Sequence, residues 1–93
     1  MKSRDEFLRG LIDLHHSGAH PKRLLGYLLN WATALVEQGQ SPDDAQAEVR
    51  AACTGQDTPA SEAWTHTFSR EDTKRTWLTW RPKKRPETST QEE

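Results

Sequence analysis

The segment PKRLLGYLLNWATALVEQG, residues 21 to 39, carries apolar side chains around most of a helix's girth, and that breadth limits what the chain can fold into. Leu24, Leu28, Trp31 and Leu35 recur at helical spacing and form a central stripe. Leu25, Leu29, Ala32 and Val36 widen it and Tyr27 extends it, which leaves Gly26, Asn30, Thr33 and Glu37 as a narrow polar line. A helix apolar over so much of its surface needs neighbours on at least two sides. Pro21 suits a first helical turn, where its missing N–H has no intrahelical acceptor, and Gly39 supplies the stop, so a helix is expected over 21–38.

Two flanking segments offer the first cover. SRDE at residues 3 to 6 reads as a capping box, so a helix is expected over 4–17 with Phe7, Leu8, Leu11, Ile12 and His15 on one face and Gly18 as its end. SPDDAQAEVRAACTG predicts a third helix over 42–54: Ser41 is the N-cap, Pro42 the first position and Gly55 the stop. Asp43 and Asp44 face the positive end of that helix dipole, which explains them better than a pair of catalytic carboxylates would. The buried face of this helix is thin, with Ala45, Val49 and Ala52 as its best members. Small side chains allow close approach but bury little area, so the first and third helices are not expected to hide the whole of the second.

The remaining apolar surface lies beyond TGQDTPASEA, residues 54 to 63, which has the composition of a loop. In WTHTFSREDTKRTWLTWRP, the alternation of Trp64, His66 and Phe68 and the frequent threonines favour a short β-hairpin pairing 64–68 with 76–80. A fourth helix within 64–80 is the alternative, because SRED at 69–72 resembles a helix start and Trp77 and Trp80 lie three apart. From Pro82 onward no residue is apolar, and residues 82–93 are expected to be a disordered polar tail after a single helical domain over 1–81. The fold class is therefore mostly α, a compact three-helix core followed by one short element.

Charge and length narrow the function classes. A chain of 93 residues with 13 Lys plus Arg against 14 Asp plus Glu has room for one domain and exerts no strong overall field. No stretch approaches the ~18 apolar residues of a membrane span, and MKSRDEFLRG lacks the apolar heart of a signal peptide, so a cytoplasmic protein that does not use a membrane is expected. The lone Cys53 has no disulfide partner within the chain and sits near a helix C-terminus, an environment that disfavours the thiolate. His15, His16, His20 and His66 do not have ligand spacing, since only His16 and His20 are four apart and Gly18 and Pro21 interrupt them. No metal, no cofactor and no catalytic residue is expected, and the chain does not read as an enzyme.

Charge is nevertheless segregated. Between Glu37 and Glu62 there are six acids and one base, a local net of −5, and between Arg70 and Arg85 seven bases and two acids, a local net of +5. The basic segment has three readings: a solubilising edge behind core aromatics, a single-stranded nucleic acid site, or a contact for an acidic partner, including the acidic third helix of a second copy. Taken together these features predict a non-enzymatic interaction module, a regulator, adaptor or inhibitor of a larger protein, with homodimerisation as another way to cover apolar surface. Its expected contacts are Tyr27, Trp31, Trp77 and Trp80, since aromatic residues dominate interface energetics. The alternative is nucleic acid bound through Lys74, Arg75, Trp77, Trp80, Arg81, Lys83, Lys84 and Arg85.

Overall fold

The computed structural model describes residues 3–55 and 59–82, and these form five helices in the order α1 (Arg4–His16), α2 (Pro21–Glu37), α3 (Pro42–Thr54), α4 (Pro59–Thr67) and α5 (Glu71–Thr79). The first three match the sequence expectation. Ser3 and Glu6 close the capping box, with Glu6 Oε1 accepting from the Ser3 amide at 2.8 Å and Ser3 Oγ accepting from the Glu6 amide at 3.3 Å. Gly18 and Gly39 adopt φ of 85° and 113°, and each follows a helix whose last carbonyls are satisfied by the two amides beyond the cap. Gly55 also ends its helix but keeps φ at −68°, so the stop there is not a left-handed turn. The N-cap of α2 is His20, whose Nδ1 accepts from the Lys22 amide at 3.0 Å, a role its sequence position did not announce.

Helix α2 is the axis, packing against each of the other four helices. Its stripe of Leu24, Leu28, Trp31, Ala32 and Leu35 meets Phe7 and Leu11 of α1, Ala45, Val49 and Cys53 of α3, and Ala63 of α4 in one buried cluster. The Trp31 indole lies flat on the Phe7 ring, with centroids 5.2 Å apart and planes 5° from parallel.

The favoured β-hairpin is not present: within 64–80 the end of α4 is joined by a short turn to α5, two helices where the alternative had one, and the stretch Pro59 to Ala63 belongs to α4 and not to a loop. Three physical reasons account for this. Trp64 and Phe68 are four apart, which places them on one face in a helix as well as in a strand, and their rings pack at 4.6 Å. The face of α4 that enters the core is made of Ala60, Ala63 and Thr67, small residues whose burial gives a weak sequence signal. The threonines that suggested strands bond back along the helix, Thr67 Oγ1 to the Ala63 carbonyl at 2.7 Å, Thr76 to Asp72 at 2.9 Å and Thr79 to Arg75 at 2.9 Å. The α5 start also differs in detail, since its N-cap is Arg70, without a side-chain cap bond, while Ser69 Oγ donates to the His66 carbonyl. Of the expected tail, Pro82 is half-buried and residues 83–93 lie outside the described residues.

Thr73 fastens α5 to α4. It is fully buried, and its hydroxyl lies 2.6 Å from the Thr67 carbonyl, the last residue of α4, and 3.0 Å from the Arg70 carbonyl. Removing that donor leaves a buried helix-end carbonyl unsatisfied, which costs ~1–3 kcal/mol. Thr73→Val is therefore expected to lower the unfolding free energy by that amount in chemical denaturation, with Thr73→Ser retaining most of it. Equal stability of Thr73→Val and the parent chain would contradict this role.

Candidate interaction surface

The two C-terminal tryptophans expected as contacts are drawn toward the core. Trp77 projects from α5 into a knot with Trp64 of α4 and Phe68 just beyond it, its ring centroid 5.5 Å from Trp64 and 5.6 Å from Phe68, both edge-on. It is half-buried, and so is Trp80, which packs against the edge of the main cluster. The turn is held on its far side by Gln46 of α3, whose Nε2 donates to the Trp77 carbonyl at 2.7 Å. This bond ties the end of α5 to α3 and satisfies one of the carbonyls that a helix end leaves open.

Trp31 is 1% exposed and Tyr27 is half-buried, so neither presents an open face of the kind a contact residue needs. The Tyr27 ring stands edge-on to Phe7 at 6.1 Å and its hydroxyl end lies over Gly10, where any Cβ would collide with it. Burial, with the Asp13 carboxylate nearby, pushes the Tyr27 phenol above its ordinary value. Trp31 is thus corrected from a contact to a core residue. The physical reason is that Phe7 of α1 stacks flat on its indole and the rest of the ring enters the main cluster, so this part of the α2 stripe is covered within the chain.

What α5 leaves outside is different in kind. Counting ~100° per residue, the inward side of the helix is Thr73 and Trp77, and Leu78 falls roughly 140° round from Thr73. Leu78 is 74% exposed, the large hydrophobic residue that stands out on the surface among the described residues. Lys74 and Arg75 occupy the same outer side, one turn earlier, and Arg81 follows it; all three are exposed and none forms an ion pair with the described acids. The Arg81 guanidinium instead donates to the Trp80 carbonyl at 2.6 Å. Of the nucleic-acid candidates, Lys83, Lys84 and Arg85 lie outside the described residues.

The first turn of α5 has its own charge anchor. Arg70 donates to both Asp72 oxygens at 2.9 and 3.1 Å, and Lys22 of α2 comes within 3.7 Å of the same carboxylate. The Arg70 hydrogen bonds hold the Asp72 carboxyl below its usual range. A carboxyl lowered in the folded state contributes stability above its unfolded pKa, lost as pH falls through the folded value; here the groups are exposed and the effect is small.

The other polar candidates are accounted for locally. The His15 and His66 rings approach to 5.4 Å and those of His15 and His16 to 6.0 Å, and no group of three His, Cys, Asp or Glu side chains among the described residues is placed to hold a metal ion. Cys53 is fully enclosed, and burial pushes its thiol up to about 12, so it stays protonated. Asp43 and Asp44 are exposed in the first turn of α3, where Ser41 Oγ accepts from the Asp44 amide at 3.1 Å. No helix among the described residues is long and apolar enough to cross a membrane.

No family model matches the chain, and neither a curated protein nor a solved structure matches it.

The contrast between the two sides of α5 is measurable. Leu78→Lys is expected to change stability by less than about 0.5 kcal/mol, as an exposed substitution, while Trp77→Ala is expected to cost roughly 2–4 kcal/mol, toward the core-aromatic range. Thermal unfolding of the two variants beside the parent chain decides it. A destabilising Leu78→Lys, or a neutral Trp77→Ala, would reverse the assignment of inner and outer faces.

Proposed function

We propose that this chain is a non-enzymatic protein-interaction module, a regulator, adaptor or inhibitor that occupies a surface of a larger protein through the outer side of α5. The observation that carries this is Leu78, a large apolar side chain held 74% exposed on a short helix whose opposite side is fixed to the core. An exposed leucine alone is unremarkable. Here it lies among Lys74, Arg75 and Arg81, which gives an apolar centre with a cationic rim. Such a surface suits an acidic protein with a small apolar contact: charge guides the encounter and sets orientation, and the apolar centre supplies part of the affinity.

The nucleic-acid reading has less support. Stacking on bases needs free indole faces, and Trp77 is flanked by Trp64 and Phe68 while Trp80 packs on the core. Cations without stacking platforms give salt-sensitive binding of low selectivity.

A photo-crosslinking side chain at position 78 of the full-length protein, expressed in its native cells, tests the reading. The expected outcome is a discrete protein adduct that survives nuclease, is lost when Lys74 and Arg75 are both changed to Glu, and is absent when the probe stands at exposed Thr65 of α4. An adduct removed by nuclease, or equal labelling from positions 65 and 78, would contradict it.

A further inference from the structure

One line of α2 stays open to solvent. It consists of Gly26, Asn30, Thr33 and Glu37, and Arg23 continues it toward the helix start. The steps between these residues are three, four, three and four, so the line runs as a straight seam with the 3.5-residue repeat of a coiled coil. Arg23, Gly26, Asn30 and Glu37 are exposed and Thr33 is half-buried. Neither Arg23 nor Glu37 forms an ion pair among the described residues.

Gly26 has no explanation inside the chain. Glycine in a helix interior is less favourable than alanine, yet a Cβ at position 26 would meet no atom within 4 Å, and Gly26 is not among the glycines with positive φ. The missing side chain therefore makes room only on the outside, where a second backbone can approach closely. Leu29, on one shoulder of the seam, is half-buried and is not among the apolar residues packed on the main cluster.

We propose that this seam is a two-fold interface, α2 of one copy packing antiparallel on α2 of a second copy, with the axis beside Asn30. Arg23 and Glu37 each lie seven residues, ~10 Å of helix, from Asn30 and in opposite directions. Antiparallel alignment thus sets Arg23 level with Glu37 of the second copy at both ends of the seam. Gly26 stands four residues before Asn30 and Thr33 three after it, so Gly26 comes within ~1.5 Å of the level of the second Thr33. Asn30 meets its own counterpart, and each carboxamide can donate to the other and accept from it. Leu29 lies one residue from the axis and meets the second Leu29 on one shoulder; on the other, Tyr27 and Ala34 are three before and four after Asn30 and so fall at nearly the same level. A parallel pairing would instead place Arg23 on Arg23 and Glu37 on Glu37, so charge selects the antiparallel one. The surface is self-complementary, and the assembly closes at two copies.

The seam is ~20 Å long and polar along its centre, which places it with small, reversible contacts and not with obligate dimers. The inference goes beyond the proposed function and rests on α2 instead of the outer side of α5, so the two fail independently.

Sedimentation equilibrium of the full-length chain from roughly 10 µM to 1 mM at low salt tests this. The parent chain is expected to show a monomer–dimer equilibrium. Arg23→Glu and Glu37→Arg, taken singly, each oppose like charges at both ends and are expected to weaken it by about tenfold or more. The two single variants mixed in equal amounts, and the double variant alone, both restore opposite charges at both ends and are expected to dimerise like the parent. Both reversals suit the dipole of α2, an acid near its start and a base at its end, so folding is not expected to suffer. Gly26→Leu, at a site open within its own chain, is expected to stay folded and be monomeric, and circular dichroism checks each variant.

A parent chain monomeric throughout would overturn the inference and leave the position-78 experiment untouched. The inference also fails if the assembly grows beyond two copies, if Gly26→Leu still dimerises, if the single reversals associate as the parent does, or if the folded double variant stays monomeric. A photo-crosslinking side chain at position 30 that labels a different protein and never a second copy would overturn it too, and would give the seam to that partner.

Discussion

The breadth of apolar surface on α2 governs this structure. Leu24, Leu28 and Ala32 are 0% exposed and Trp31 only 1%, although their helix is too greasy for two neighbours of ordinary size to cover. The α1 side brings Phe7 and Leu11, but α3 brings Ala45, Val49 and Cys53, which allow close approach and bury little area. Helices α4 and α5 close the gap. They are short, and an isolated nine-residue helix is unstable in water, so they exist because the first helices offer them a surface, α1, α2 and α3 for α4 and α2 for α5. The dependence runs both ways: α2 needs cover and the last helices need a template, which makes the chain one cooperative unit.

The same constraint decides what the molecule can show to others. The chain has four tryptophans, yet Trp31 is inside and Trp64, Trp77 and Trp80 are half-buried against the core. Aromatic area used to stabilise the fold is not offered for binding. What remains outside is the side of α5 turned away from the core, where Leu78 sits among cations, and the outer side of α3, where Asp43 and Asp44 complete their helix dipole and face solvent. Function, in this reading, uses the faces that the packing of α2 leaves over.

Much of the fold was legible because punctuation residues act locally. The Ser3 and Glu6 box, the prolines at positions 21 and 42, and Gly18 and Gly39 each impose a conformation on their own few residues, and the first three helices begin and end where they indicate. The region after Gly55 was harder because its signals coincide for helix and strand. Trp64 and Phe68 share a face in both, threonine favours strands until its hydroxyl finds a carbonyl one turn back, and the buried side of α4 is alanine and threonine. The candidate contacts were less legible still. Sequence placed Trp31 on the correct stripe, but whether a stripe faces solvent or a neighbour depends on how the helices pack, and here Phe7 of α1 covers the indole. Leu78 drew no attention in the sequence because one leucine among polar residues fits a short core-facing helix equally well; only the direction fixed by Thr73 and Trp77 turns it outward.

The most direct measurement compares thermal unfolding, followed by circular dichroism, of the full-length chain with that of a chain ending at Gly55. If α4 and α5 complete the cover of α2, the shorter chain loses its sharp transition and melts gradually. A shorter chain that is monomeric and melts cooperatively at the same temperature as the full one would show that three helices suffice, and the interdependence described above would be wrong.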